Sequence, residues 1–187
     1  MEFFRVGKDH RERLMLAANR IGKTEGVGGY ETTLHLTGLY PEWWEGKRFD
    51  HHVVAWVSGE TGKDVRDSLQ LKLLGPFGEF GTGLIPGDSL DKTTPKPGVS
   101  EAVDTVYVKH VSGGTSRLTF KSYDQGRESY QAADVDVIWN DEEPPLAVYT
   151  ESVIRTMTTD GIVMNTFTPL QGMSEVVLTF LPGGKLQ

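Results

Sequence analysis

Cysteine is absent from this chain of 187 residues. Disulfide staples and thiolate-held metals are therefore excluded, as suits a reducing compartment such as a cytosol. No apolar run approaches the roughly 20 residues needed to cross a bilayer. The opening Met1-Glu2-Phe3-Phe4-Arg5 lacks the pattern of a secretory leader, so no membrane partner is expected. Positive charge is in short supply: 19 Lys and Arg stand against 26 Asp and Glu, a net −7. Such a chain is a poor general binder of nucleic acid, and any DNA contact needs a local basic patch or another domain. The five histidines have no metal-ligand spacing, and Asp50-His51-His52 reads as a solvated approach to a strand. Repeats, low-complexity tracts and composition shifts are missing as well, which leaves one domain over residues 1–187.

What is present is a phosphate-binding loop. Ala17, Ala18, Asn19, Arg20, Ile21, Gly22, Lys23 and Thr24 follow the pattern G-x-x-x-x-G-K-[ST], with alanine in place of the first glycine. Leu14-Met15-Leu16 is a candidate buried strand leading into it. The chemistry accounts for each type. Backbone N–H groups surround phosphate oxygens, and Gly22 lets the chain approach closely. Lys23 is a point charge for the β- and γ-phosphates, and the Thr24 hydroxyl is a ligand for Mg²⁺. The following helix aims its N-terminal dipole at the same anion. Arg20, inside the loop, is a candidate to sense or stabilise the γ-phosphate.

A second element completes the first. Val135 to Asn140 is an apolar run ending in Asp141, Glu142 and Glu143. Asp141 is the candidate magnesium carboxylate, and Glu142 the group that orients or deprotonates the attacking water. Glu143 is read as structural. Asp136 is a weaker rival to Asp141, because Asp134-Val135 before it is not an apolar run. Thr166-Phe167-Thr168-Pro169 follows a further strand; the hydroxyls of Thr166 and Thr168 at a strand's carboxyl end suit a link between γ-phosphate state and movement.

Patterning predicts alternating strands and helices: a strand at 14–17, a helix at 22–39, a strand at 53–57, a helix at 61–74, a hairpin of 103–111 with 115–121, a strand at 136–140, a helix from Pro144 to Met157, a strand at 162–166 and a short helix at 172–180. Gly26, Gly28 and Gly29 imply either close packing or fraying in the first long helix. Residues 74–100 read as an excursion with little regular structure. Trp43 and Trp44 are read as packed on the domain. The expected fold is α/β, a phosphate-loop NTPase with a mostly parallel sheet flanked by helices.

These residues resemble one family, the large terminase subunit of tailed bacteriophages. The likeness rests on the loop from Ala17 to Thr24, on Tyr40 to Phe49 (Tyr-Pro-Glu-Trp-Trp-Glu-Gly-Lys-Arg-Phe), on Val137 to Pro144, similar to the family's Walker B strand with its catalytic glutamate, and on Thr166 to Pro169, similar to its coupling motif. The resemblance implies an ATPase domain of the additional-strand, catalytic-glutamate type, with ATP as substrate and Mg²⁺ as cofactor. It further implies a homo-oligomeric ring on the portal protein, with double-stranded DNA and the small terminase subunit as partners in the host cytoplasm. Phe3-Phe4-Arg5 looks like the tail of an adenine-binding segment that is otherwise incomplete, and the chain stops at Gln187, so no nuclease activity is expected of it. In such rings a trans-acting arginine serves the neighbour's γ-phosphate; Arg127, after Gly126, is the candidate, against a plain pairing with Asp124 or Glu128. Two other readings stand beside the motor: a helicase-like ATPase acting on nucleic acid, and an inactive prophage remnant serving as an interaction module.

Overall fold

The structure is a computed structural model describing residues 2–18, 22–131, 133–169, 172 and 174–181. Seven strands are defined: β1 (Glu12–Leu16), β2 (Val54–Gly59), β3 (Leu90–Pro95), β4 (Val103–Lys109), β5 (Thr115–Ser122), β6 (Val137–Asp141) and β7 (Ile162–Phe167). They form one sheet in the order β1-β7-β6-β2-β5-β4-β3. The first five in that order are parallel to their neighbours, and β4 and β3 are antiparallel. β7 is thus inserted between β1, which delivers the phosphate loop, and β6, which delivers the acids.

Alternation along the strands builds two apolar layers. On one face Val137, Trp139, Ile162 and Met164 pack with Val57, Leu73 and Phe120. On the other, Ile138, Val163 and Phe167 pack with Val148, Tyr149 and Val177. Burial on both faces explains why the central strands read as nearly unbroken apolar runs.

α1 (Glu2–Val6) precedes β1. After the loop, a π-helical turn over Lys23–Gly29 runs into α2 (Tyr30–Thr37). The glycines here mark close packing, not fraying: a Cβ on Gly28 would lie 2.1 Å from the indole of Trp139. The helix after β2 comprises α3 (Gly62–Asp64), a π-helical stretch (Val65–Gln70) and α4 (Leu71–Leu74). α5 (Leu146–Arg155) and α6 (Glu175–Thr179) cover the opposite face.

One expectation is corrected. The 74–100 excursion contains β3, paired with β4 through two register irregularities. Its sequence, Leu-Asp-Lys-Thr-Thr-Pro, buries no residue fully and ends in proline. It is a polar edge strand, a type that tolerates proline and carries no apolar alternation. The tryptophans also divide: Trp44 is buried, whereas Trp43 is exposed and stacks on Tyr30 at 6.1 Å.

Candidate active site

Parallel strands bring their carboxyl ends to one edge, and the loops there form the site. β1 ends at Leu16, opposite Phe167 of β7. β6 ends at Asp141, opposite Thr166 of β7. Residues separated by more than a hundred positions therefore meet.

Gly22 begins the helical turn at φ 83, and a Cβ there would touch nothing. The backbone conformation, not space, demands glycine at this position. Lys23 is buried, and its ammonium donates to the carbonyls of Ala17 (2.7 Å) and Ala18 (2.9 Å) and to Thr168 Oγ1 (2.8 Å). Thr168 in turn donates to the Ala17 carbonyl at 2.8 Å. The phosphate loop and the candidate coupling segment thus share acceptors. Asn19, Arg20 and Ile21 lie outside the described residues, so the candidate role of Arg20 has no geometry here.

The Thr24 hydroxyl donates to both carboxylate oxygens of Asp141, at 3.1 and 3.2 Å. Thr166 Oγ1 donates to Asp141 Oδ1 at 2.9 Å and accepts from Trp139 Nε1 at 2.8 Å. Burial pushes the Asp141 carboxyl up to about 6, against the lowering effect of these hydroxyls. A buried carboxylate beside a hydroxyl is an oxygen donor set suited to a hard divalent cation, which would keep the group ionised. Among the described residues no cluster of three or more His, Asp or Glu side chains could hold a metal. Phosphate-loop sites need none, because phosphate and water complete the shell.

Glu142 lies at the exposed mouth of the site in a left-handed conformation, φ 67. Partial burial raises its carboxyl, Glu60 and Asp64 add to the rise, and Lys23 opposes it. The side chain lines a cleft of about 820 Å³ with Glu60, Tyr123, Glu143 and Thr168. A raised carboxyl at the mouth of a cleft is a reasonable proton acceptor.

The rivals sit elsewhere. Asp136 precedes β6, at the other end from Asp141, and its Oδ2 accepts from the Val54 amide at 2.8 Å. His51 is exposed beside Asp50, as a solvated strand approach would have it. Arg127 pairs with Glu151 of α5, Nε to Oε2 at 3.0 Å, and not with Asp124 or Glu128. Two contacts of the candidate site carried no obvious pattern in the sequence. Tyr123 reaches the Asp141–Glu142 turn from the end of β5, and Trp139 orients Thr166.

Fold and site together define a phosphate-loop NTPase domain with one strand added between the loop strand and the acidic strand. Residues 14–184 match the family described as terminase large subunit, T4likevirus-type, N-terminal, and the chain belongs to that family. It is 38% identical over 200 residues to the large terminase subunit of Salmonella phage P22, covering 96% of this chain and 40% of that protein. It shares its fold with the large terminase from a thermophilic bacteriophage, at a TM-score of 0.60 and 10% identity, over 86% of this chain and 34% of that one. The chain therefore spans well under half the length of these relatives.

Proposed function

We propose that this domain binds ATP with Mg²⁺, hydrolyses it, and so drives DNA into a procapsid as part of a terminase motor. The contact that carries the reading is the 3.1 Å hydrogen bond from Thr24 to Asp141, which unites the two halves of a nucleotide site across 117 residues. Among the described residues Lys23 donates to neutral acceptors, and phosphate oxygens accept roughly twice as strongly. Nucleotide therefore takes the ammonium from Ala17, Ala18 and Thr168, so Thr168 registers the γ-phosphate directly. Thr24 and Asp141 would hold the magnesium ion, which would supply neutralisation of phosphate charge. Glu142 receives the proton of the attacking water. In the proposed assembly the domain sits in a homo-oligomeric ring on the portal protein, with the small terminase subunit and double-stranded DNA as partners, in the host cytoplasm.

Titration with a non-hydrolysable ATP analogue and a phosphate-release assay test this. Lys23→Ala is expected to lose nucleotide binding. Glu142→Gln is expected to keep binding and lose turnover by on the order of 10²-fold or more, as removal of a general base does. Unchanged affinity in Lys23→Ala overturns the nucleotide site; a dead Glu143→Gln beside an active Glu142→Gln moves the base by one residue.

A further inference from the structure

We infer that Tyr123 is a positioning residue that sets the direction of the Glu142 carboxylate through the backbone. Its hydroxyl donates to two successive carbonyls, Asp141 O at 3.1 Å and Glu142 O at 3.0 Å. Carbonyls of adjacent residues in a strand point opposite ways, so one hydroxyl reaches both only where the chain turns. That turn is Glu142 itself, at φ 67, a conformation that a residue with a side chain adopts at a cost. Such strain persists only where the surroundings impose it. Here two contacts do so: the shared tyrosine hydroxyl, and the Glu142 amide donating to the Thr166 carbonyl at 3.3 Å.

Tyr123 is itself held firmly. It begins the 3-10 turn that ends β5, where Ser122 and Gln125 form a reciprocal capping box. Its ring packs with Trp56, Ile138 and Tyr130 in the apolar layer. β2 separates β5 from β6 in the sheet, so the side chain spans a neighbouring strand to reach the turn. Among the described residues neither Lys23 nor Thr24 hydrogen-bonds to Tyr123. Through the Glu142 carbonyl the hydroxyl bears on the direction of that carboxylate; at Asp141 it meets only the backbone, while the Asp141 side chain is fixed separately by Thr24 and Thr166. A misplacement of about 1 Å in a reacting group costs on the order of 10²-fold in rate.

This inference rests on the reading of Glu142 as the base, and two readouts on the full chain separate them. Tyr123→Phe removes one oxygen and keeps the ring. Its kcat for ATP is expected to fall about tenfold or more, with analogue affinity within about twofold, a split that general loosening of the fold does not produce. Independently of nucleotide, the amide resonance of Glu142 in a ¹⁵N spectrum is expected to move. A parental kcat, a joint loss of affinity and kcat, or an unmoved Glu142 amide each overturns the role of Tyr123. If Tyr123→Phe does not melt cooperatively, 3-fluorotyrosine at position 123 replaces it. Its more acidic hydroxyl strengthens both bonds and is expected to shift the Glu142 amide the other way; no shift again overturns the role. If instead Glu142→Gln turns over like the parent, the base assignment fails, while the amide shift still decides whether Tyr123 holds the turn.

Discussion

The Arg13 guanidinium faces the Glu31 carboxylate through two hydrogen bonds, Nη1 to Oε2 at 3.1 Å and Nη2 to Oε1 at 2.7 Å, with both side chains almost fully buried. Arg13 belongs to the strand that enters the phosphate loop and Glu31 to the helix that leaves it, so the pair ties the loop's two flanks together behind it. Arg13 also donates to the Phe3 carbonyl at 2.8 Å, which adds α1 to the brace. His35 Nε2 stands 3.2 Å from Glu31, and its Nδ1 stands 2.8 Å from the Tyr40 hydroxyl. Burial works to raise the Glu31 carboxyl, but the hydrogen bond from His35 and the charge and hydrogen bonds of Arg13 outweigh it and hold the group ionised. Burial lowers His35, so the imidazole is neutral. The network then assigns the tautomer: Nε2–H donates to Glu31, and Nδ1 accepts from Tyr40, whose oxygen accepts from the Phe49 amide at 2.9 Å.

Breaking one side of this pair leaves the other charge buried alone. Glu31→Ala is expected to cost about 3–5 kcal/mol of unfolding free energy. The double variant Arg13→Met/Glu31→Leu is expected to recover much of that loss, because it removes both charges and keeps volume. Urea denaturation of the single and double variants checks the order. A double variant as unstable as the single would mean that the pair's hydrogen bonds, not its unpaired charge, dominate.

The glycines of the π-helical turn make opposite predictions from one another. Nothing lies within 4 Å of a Cβ at Gly26, so Gly26→Ala is expected to stabilise by up to about 1 kcal/mol through helix propensity. At Gly28 a Cβ would run into the Trp139 indole. Gly28→Ala is expected to destabilise by about 1–3 kcal/mol, the usual cost of overpacking. It should also weaken nucleotide binding, because Trp139 holds Thr166 on Asp141. Thermal melts of the two variants side by side suffice.

Much of this was legible in the sequence where one residue type has one use. The loop glycine and lysine, and the acids closing an apolar run, pointed to both halves of the candidate site, and buried parallel strands announced themselves by unbroken apolar runs. β3 was hidden because an edge strand buries little and so needs no pattern. The Arg13–Glu31–His35 network was hidden because partners eighteen residues apart have no fixed spacing; an arginine inside an apolar strand and a Glu–His pair at i and i+4 were its only traces. Tyr123 escaped because it acts on backbone carbonyls, which every sequence supplies.

Asp141 gives a pH dependence with a definite sign. Its carboxyl rises from 3.8 to about 6 on folding. The native state therefore keeps its proton while the unfolded chain loses it, and this group's contribution to stability falls as pH rises from about 4 to about 6, then levels. A shift of about 2 units corresponds to roughly 3 kcal/mol. Asp141→Asn cannot ionise. Measured in EDTA, its stability relative to the parent is expected to grow by that order between pH 4 and pH 6.5. Added Mg²⁺ and nucleotide should narrow the gap by binding the parent preferentially. A difference independent of pH would place the Asp141 carboxyl in the ordinary range.

Arg127 meets a buried acid in its own chain, yet half of its side chain is exposed. Glu151 holds a second cation, Arg155, at 2.9 Å. Removing Arg127 therefore leaves Glu151 paired, and Arg127→Ala is expected to cost at most about 1 kcal/mol, the range of exposed ion pairs. For the same reason releasing Arg127 from Glu151 costs little, which a role toward a neighbour in the proposed ring requires. If it stabilises the neighbour's γ-phosphate, Arg127→Ala subunits should fold normally and lose ring-stimulated hydrolysis by roughly 10³-fold or more. Subunits carrying Glu142→Gln retain Arg127, and mixing them in should restore part of the lost activity in the assembled motor. A parental rate for Arg127→Ala in a working motor would confine the arginine to its bond with Glu151. A loss that mixing fails to rescue would mean that it acts on its own subunit's site through α5.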